Sequence, residues 1–550
     1  MESIELTTSN QDNKTFTPED PKESQPRSEL RSCTYTLFTD SLPYVINLIG
    51  SFIVTTLNLI YFSNSVPEQV APDAIAGVGI AVTWTAITTF VVIMSLNGGF
   101  STLAAQAFGS KNYELVGLYL HRSLIIRTLC LIPGFILLIY CEECLLALGV
   151  SERPVIYAGM YARALIPGTF LLMLGDTFKA YIIAHNIFKP LLYIQIIIMG
   201  SHFLFCELLI RKLQLGMTGV GWAFFLSQGA GVAAYASYIF KYQPTKETLF
   251  WFKKESFQNL LLQFKQEAWI AMFMYLEWVG YEFILIFGGM LGDLELRSLV
   301  ICYNIATFVY MPGSGLAMTL TTYTATAMGE GNLNRVMKFI QGGAILTFAD
   351  IILVSGALFI FAEPLIRIYT NDEETVEYSV VLLRLYGGFY FLDLGQIMEV
   401  AVLKGTGKEV IGTKYYIISM LIVGPISGYA LAFWAKFRAI GLYIGLAIGL
   451  ATMNVLCFLV LKRMDFREQM KEIQARINEL SPANAEKAVE MKEIHEQIND
   501  ELSKEANTEN TDEMKEIQEQ INDELSKAAN TENNTAGMKE IHSHEMNDRC

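Results

Sequence analysis

Three carboxylates sit where a charge is hardest to place. Glu277 and Glu282 belong to Glu277-Trp-Val-Gly-Tyr281-Glu282, inside an apolar run near 267–290. Asp393 lies in another run, near 378–403, followed by Glu399. A buried carboxylate is costly unless it is paired, hydrated or protonated. At about 100° per residue Glu277 and Tyr281 share a helix face, while Glu282 is about 140° away from Glu277. A third run, near 298–327, opens with Tyr303-Asn304 and brings Tyr310 round two turns later on roughly the same face. Carboxylates and tyrosines from these segments would meet in one place. There a carboxylate can load and release a proton, and aromatic faces beside it can hold an organic cation. Asp176, Glu207 and Asp350 also interrupt apolar runs, but they lack aromatic neighbours at helical spacing and read as structural.

Other chemistries find no support. There is no G-x-x-x-x-G-K-[ST] phosphate loop for ATP, and no H-E-x-x-H or G-x-S-x-G for hydrolysis. No helix carries the periodic arginines of a voltage sensor. The eight cysteines form no disulfide framework, and the close pair Cys141 and Cys144 has no further Cys or His near enough to complete a zinc site. The chain is expected not to be an enzyme, and to use no cofactor or metal beyond a coupling ion, H+ or Na+.

The elements that must position these residues are membrane helices. Of 550 residues, 52% are hydrophobic and 17% charged, against about a quarter charged in a soluble domain. The net charge of −15 argues against nucleic acid as a partner. The segment 462–550, with 12 basic and 22 acidic residues, accounts for ten of those charges. A helix needs about 20 apolar residues to span a bilayer, and twelve runs qualify. They fall near 43–63, 72–97, 122–141, 156–184, 188–210, 217–240, 267–290, 298–327, 339–362, 378–403, 415–435 and 440–461. The sequence therefore predicts an all-α polytopic membrane protein: a polar segment 1–40, a first lobe 41–245, a linker 246–265, a second lobe 266–462 and an acidic tail 463–550. The N-terminus has no signal-peptide apolar core, so the first hydrophobic helix serves as the targeting signal. Twelve basic residues fall in the loops of one side and seven in the other. This places both termini in the cytoplasm, with the plasma membrane or a vacuolar or vesicular membrane as the location.

Internal repetition supports two lobes. Ala105-Gln-Ala-Phe-Gly109-Ser-Lys-Asn112 is echoed by Ala325-Thr-Ala-Met-Gly329-Glu-Gly-Asn332, and Gly219 by Gly441. Six helices plus six, both sets starting on one side, give parallel halves related by a pseudo-two-fold axis along the membrane normal, with a cavity between them. The tail repeats on a shorter scale. Met491-Lys-Glu-Ile-His-Glu-Gln-Ile-Asn-Asp-Glu-Leu returns from Met514 and, truncated, from Met538, with a looser copy at Met470. Each copy has one narrow apolar face in an otherwise solvated, largely disordered tail.

The membrane part resembles the multidrug and toxic compound extrusion (MATE) family. The stretch from Ser95 through Gln106, Gly109 and Gly117 to Arg122-Ser123 is similar to the family's second-to-third helix signature. Leu165-Ile-Pro-Gly168, Lys189-Pro190, Leu215-Gly-Met-Thr-Gly219-Val-Gly-Trp-Ala223, Lys404-Gly-Thr-Gly407 and Gly441-Leu-Tyr-Ile-Gly445 resemble later segments in order. Glu277-Trp-Val-Gly-Tyr-Glu282 looks like the eukaryotic seventh-helix pattern. The resemblance runs from about 35 to 462. It implies a secondary antiporter exporting organic solutes, commonly cations, in exchange for protons or sodium. It also implies that Glu277, Glu282 and Asp393 match acidic positions used for coupling and substrate binding, and Asn304 a plant-like asparagine. Two departures stand out. The family's Arg-Val-x-Asn-x-Leu-Gly after the eighth helix appears here as Tyr323-Thr-Ala-Thr326-Ala-Met-Gly329. Asp40, before the first apolar run, does not match the first-helix aspartate of prokaryotic members, which shifts coupling to the second lobe.

The expectation is proton-coupled multidrug or xenobiotic efflux by a monomer in the bilayer, acting on a small organic solute. The site residues are Glu277, Glu282, Asp393, Tyr281, Tyr303, Asn304 and Tyr310. The alternatives are sodium coupling, an organic-anion exporter, or a flippase for lipids or lipid-linked sugars. A flippase calls for a cationic cavity, which the carboxylates oppose.

Overall fold

The computed structural model describes residues 26–63, 66, 70–242 and 244–480. The segment up to 25 and the tail copies from Met491 onward lie outside these residues. The described chain is helical almost throughout, because in lipid the backbone N–H and C=O groups must bond within their own segment. Six long helices build the first lobe: α1 Pro26–Ser63, α2 Pro72–Gly109, α3 Tyr113–Ile139, α4 Glu152–Ala184, α5 Lys189–Lys212 and α6 Gly216–Tyr242. Six build the second: α7 Leu260–Leu291, α8 Asp293–Gly329, α9 Leu333–Arg367, α10 Glu373–Gly405, α11 Glu409–Trp434 and α12 Arg438–Arg463. Each overlaps one of the twelve apolar runs. Eleven are long and apolar enough to cross a membrane. The other, α6, has 27 residues, about 40 Å of helix; Gly219, Gly221, Gly229 and Gly231 dilute its apolar character. A short amphipathic helix, α13 (Phe466–Glu479), follows α12.

The end of the bundle where α1 starts and α12 finishes is its basal face. The internal repeat is built there, residue by residue. Asn112 caps α3 by accepting the backbone N–H of Leu115 at 3.2 Å, and Asn332 caps α9 through Arg335 at 3.1 Å. Each thereby satisfies one of the donors that a helix start leaves open. Before each cap the chain turns through a left-handed residue, Lys111 or Gly331. The glycines of the repeat mark a crossing of the two lobes. A Cβ on Gly109 would lie 2.0 Å from the carbonyl oxygen of Thr326, and one on Gly329 would lie 2.0 Å from that of Gln106. Gln106 and Thr326 are themselves equivalent positions, so α2 and α8 meet backbone to backbone with approximate two-fold symmetry.

The second echo has a different cause. α5 ends in a π-helical turn at Cys206–Lys212 and α11 in one at Ala430–Trp434. Gly219 sits against the first, near Leu209, and Gly441 against the second, near Leu431 and Ala432. The widened turns need a residue without a side chain opposite them.

More polar links tie the lobes at the basal face. Tyr323 of α8 donates to Asp40 of α1 at 2.5 Å, and Thr326 of α8 to Asn186 at 3.2 Å. Ser123 of α3 donates to Glu267 of α7 at 2.7 Å, and Gln106 to the carbonyl of Gly405 at 3.1 Å. Lys338 of α9 pairs with Glu29 of α1. The bundle is shut at this end.

The crossing makes a prediction about paired substitutions. At Gly356 of α9 no atom lies within 4 Å of the place that an added methyl group would take, so Gly356→Ala is expected to leave the thermal midpoint in detergent unchanged or slightly raised. Gly329→Ala is expected to lower stability by about 1–3 kcal/mol, the usual cost of overpacking. Equal midpoints for the two variants would mean that the crossing is not a tight one.

Candidate functional site

Near the middle of the second lobe, α7, α8, α10 and α11 bring polar groups into one cluster. Tyr310 of α8 donates to Glu277 Oε1 at 2.5 Å, and Gln396 Nε2 approaches the same oxygen at 3.5 Å. Tyr416 of α11 donates to the backbone carbonyl of Glu277 at 3.2 Å. Asp393 receives Tyr281 on Oδ1 at 2.5 Å and Tyr386 on Oδ2 at 2.7 Å. Asp393 is 1% exposed, whereas Glu277 is half-buried. Beside them Tyr390 bridges Asp350 of α9, at 3.0 Å, and the carbonyl of Val309, at 3.1 Å.

Among the described residues neither Glu277 nor Asp393 has a lysine or arginine within ion-pair distance. Lys404 is within electrostatic reach of Glu277, but its ammonium lies over the Phe273 ring, 4.5 Å from the centroid. Hydroxyls and an amide hold both carboxylates, and the described cluster leaves them without a bound cation of the protein's own. Such a cluster can take a proton or an organic cation.

Local sequence explains the arrangement. Tyr386, Tyr390 and Asp393 follow one another at four and three residues, so they line one face of α10. Pro312 withdraws one backbone donor from α8 beside Tyr310. Directly after Tyr416 the chain enters a π-helical turn, Ile417–Val423, a local distortion that recurs at functional sites.

Of the residues that the sequence singles out, the structure brings together Glu277, Tyr281, Tyr310 and Asp393. It sets the others apart. Glu282 is on another face of α7, within electrostatic reach of Tyr303, and both lie farther from the basal face than the Glu277 pair. Asn304 turns its amide back onto the carbonyl of Val300, at 2.8 Å. Tyr386, Tyr390 and Gln396 join the cluster although the sequence reading does not pick them out, and Asp350, which the sequence reads as structural for want of an aromatic neighbour on its own helix, joins it through Tyr390 of α10. The first three share a face of α10 with Asp393, a signal present in the sequence. Tyr416 has no such signal, because only tertiary packing brings α11 beside α7.

The first lobe handles its acids differently. Asp176 is paired with Lys179 one turn away, at 2.5 Å, and both are buried. Lys179 also donates to Asn47 at 3.3 Å, and Asn47 to Gln195 at 2.8 Å. Glu207 takes Arg211 at 3.2 Å and the hydroxyl of Tyr61 at 3.2 Å. These carboxylates already own cations. Asp40 precedes the first apolar run but falls inside α1, because that helix begins at Pro26, well ahead of the run. Asp40 bonds Tyr323 in the basal closure. Tyr323 and Thr326 stand where the family resemblance implies an arginine and an asparagine.

Comparison with known proteins agrees with this architecture. The MatE family profile matches residues 48–208 and again 270–430, once in each lobe. Protein DETOXIFICATION 9 of Arabidopsis thaliana is 24% identical over 408 residues, covering 74% of this chain and 85% of that protein. Protein DETOXIFICATION 16 of the same plant is 26% identical over 411 residues, 74% of this chain and 84% of the relative. Among solved structures, the eukaryotic MATE transporter AtDTX14 superposes with a TM-score of 0.75 at 22% identity, over 82% of this chain and 100% of that one. A MATE family transporter in an outward-facing conformation gives 0.67 at 18% identity, over 82% of this chain and 99% of that one. With the family profile matched once in each lobe, over more than half of its residues in all, this chain belongs to the MATE family of multidrug and toxic compound efflux transporters, and is of the eukaryotic type.

Proposed function

We propose that this transporter exports organic cations in exchange for protons. The observation that supports it is the pair Glu277, half-buried, and Asp393, buried, both held by tyrosine hydroxyls with no lysine or arginine among the described residues bound to either. A cation entering between them meets two carboxylates and the faces of Tyr281, Tyr310 and Tyr386, which suits a delocalised or quaternary ammonium charge. A proton on Glu277 or Asp393 removes the attraction that held it. The two ligands therefore compete, as exchange requires. The twelve-to-seven count of basic residues makes the basal face cytoplasmic, so a chain shut there faces outward. Glu282, Tyr303 and Asn304 lie farther out along α7 and α8 and form a second station on the exit path. The cell membrane and a vacuolar or vesicular membrane both fit this orientation.

Uptake of tetraethylammonium into vesicles containing the purified protein, driven by an imposed proton gradient, tests the reading. Glu277→Gln is expected to abolish gradient-driven uptake while keeping the folded state, since the Gln amide oxygen still accepts from Tyr310. Uptake that follows sodium and ignores pH would replace the coupling ion. Absence of uptake of any organic cation by folded protein would overturn the substrate class in favour of anions or lipids.

Tyr310→Phe removes a charge-assisted hydrogen bond from Glu277. It is expected to weaken cation binding at least tenfold, in line with the usual strength of such bonds, and to shift the pH dependence of uptake. Glu282→Gln, at a site apart from the pair, is expected to change apparent affinity several-fold without uncoupling transport. Full uncoupling by Glu282→Gln alone would move the coupling site outward.

A further inference from the structure

We infer that α13 is a latch that fastens the basal face of the transporter shut. After α12 ends at Arg463, α13 doubles back under the bundle. Gln469, Met470, Ile473 and Ile477 are buried on one face, while Glu468, Lys471 and Glu472 are exposed. A solvated tail helix would show no such one-sided burial; here the apolar face has a partner.

That partner is chiefly the second lobe. Ile473 lies over Gly407 in the loop between α10 and α11, and Gln474 over Gly331 in the loop between α8 and α9. Lys408 pairs with Glu472 at 3.6 Å, and Thr406 contacts the sulfur of Met464 at 3.9 Å. Arg476 reaches the other way. Its guanidinium donates to Gln106 Oε1 of α2, in the first lobe, at 2.5 Å. The same Gln106 side chain donates through Nε2 to the carbonyl of Gly405, in the second lobe, at 3.1 Å. One first-lobe amide thus makes two bonds across the gap, accepting from α13 and donating to the second lobe, next to the Gly109–Gly329 crossing. If α13 travels with the second lobe, the Arg476–Gln106 bond exists only while the basal ends are together. An interaction present in one of two states shifts the equilibrium toward that state. α13 therefore favours the closed basal face and resists opening on that side.

The tail adds a comparison within the sequence. The anchors Met470, Ile473 and Ile477 recur as Met491, Ile494 and Ile498, and as Met514, Ile517 and Ile521, but Gln497 and Gln520 stand where α13 has Arg476. The copy seated at the gate is the one that carries the charged arm.

Distances between nitroxides at Lys111 and Glu330, on the basal ends of α2 and α8, test the latch in a cysteine-free full-length chain in lipid nanodiscs. No transported solute is needed, so failure of the cation-efflux reading leaves this test intact. The parent chain is expected to give mainly the short distance. Arg476→Gln, which writes into α13 the residue of the tail copies, is expected to raise the open-to-closed ratio about tenfold. Arg476→Lys is expected to restore most of the closed population. A chain ending at Asp465 should open similarly and be closed again by a peptide of residues 466–479. Identical distance distributions for the parent, Arg476→Gln and the shortened chain would overturn the proposal. If the shortened chain does not stay folded, the comparison of Arg476→Gln with Arg476→Lys decides, because neither empties the interface.

Discussion

The second lobe is organised around the cost of placing carboxylates in an apolar bundle without giving them, among the described residues, a lysine or arginine partner. Moving such a group out of water costs several kcal/mol even after relaxation, and each hydrogen bond to it returns about 1.5–3 kcal/mol. Two tyrosines on Asp393, with a tyrosine and a glutamine on Glu277, recover part of that cost. On the proposed function the rest is supplied by the proton or cation that the site exchanges. A lysine in place of Tyr310 would satisfy Glu277 permanently and end its use, so the site depends on hydroxyl donors that hold a carboxylate without neutralising it. α7, α8 and α10 deliver those donors, and Pro312 of α8 lies beside Tyr310.

The two lobes share a backbone plan and differ in their electrostatics. Asn112 and Asn332 cap equivalent helices, Gly109 and Gly329 meet across the axis, and Gly219 and Gly441 close on equivalent π-helical turns. Yet where Glu277 and Asp393 have hydroxyls, Asp176 has Lys179 one turn away. The ion pair inside the first lobe gives Asp176 a cation of the protein's own. Symmetry supplies two bodies that can rock against each other, and on the proposed function the difference in charge assigns the exchange chemistry to the second.

Much of this was legible in the sequence, for physical reasons that can be named. Apolar runs of spanning length fix the helix count, because a bilayer tolerates few alternatives. That Glu277, Tyr281, Tyr310 and Asp393 gather in one place follows from acids and aromatics interrupting runs that lipid should have kept apolar; which tyrosine meets which acid does not, since Tyr281 shares a face with Glu277 yet bonds Asp393. The extent of α1 was not legible: its first turns are polar, and they are helical because they pack on α8 and α9 through Asp40, Thr34 and Glu29. Tyr416 was hidden for the complementary reason. It lies in an ordinary apolar helix and gains its role from a neighbour distant in sequence. Glu282, Tyr303 and Asn304 have the right residue types, but spacing within a helix says which face a residue shares and not which neighbour that face meets.

At the α1–α8 and α2–α8 contacts the basal closure relies on hydroxyls and glycines, which part more cheaply than an arginine would. A two-state transporter needs its closed ends to part at a cost of a few kcal/mol, since ligands can shift an equilibrium only by their differential affinity. When Tyr323 leaves Asp40 or Thr326 leaves Asn186, water takes the place of the lost partner, and the net value of a hydrogen bond between such groups is small. The contact of Gly109 with Gly329 is steric and contributes close packing while it lasts, leaving no unpaired charge when it breaks. An arginine bonded to an asparagine at this place would hold more tightly and part less readily. In this chain the arginine comes instead from α13, outside the twelve-helix bundle. The group opposite it, Gln106, is neutral and can rehydrate, so on the latch proposal α13 adds to the closure and can leave without dismantling the gate beneath it.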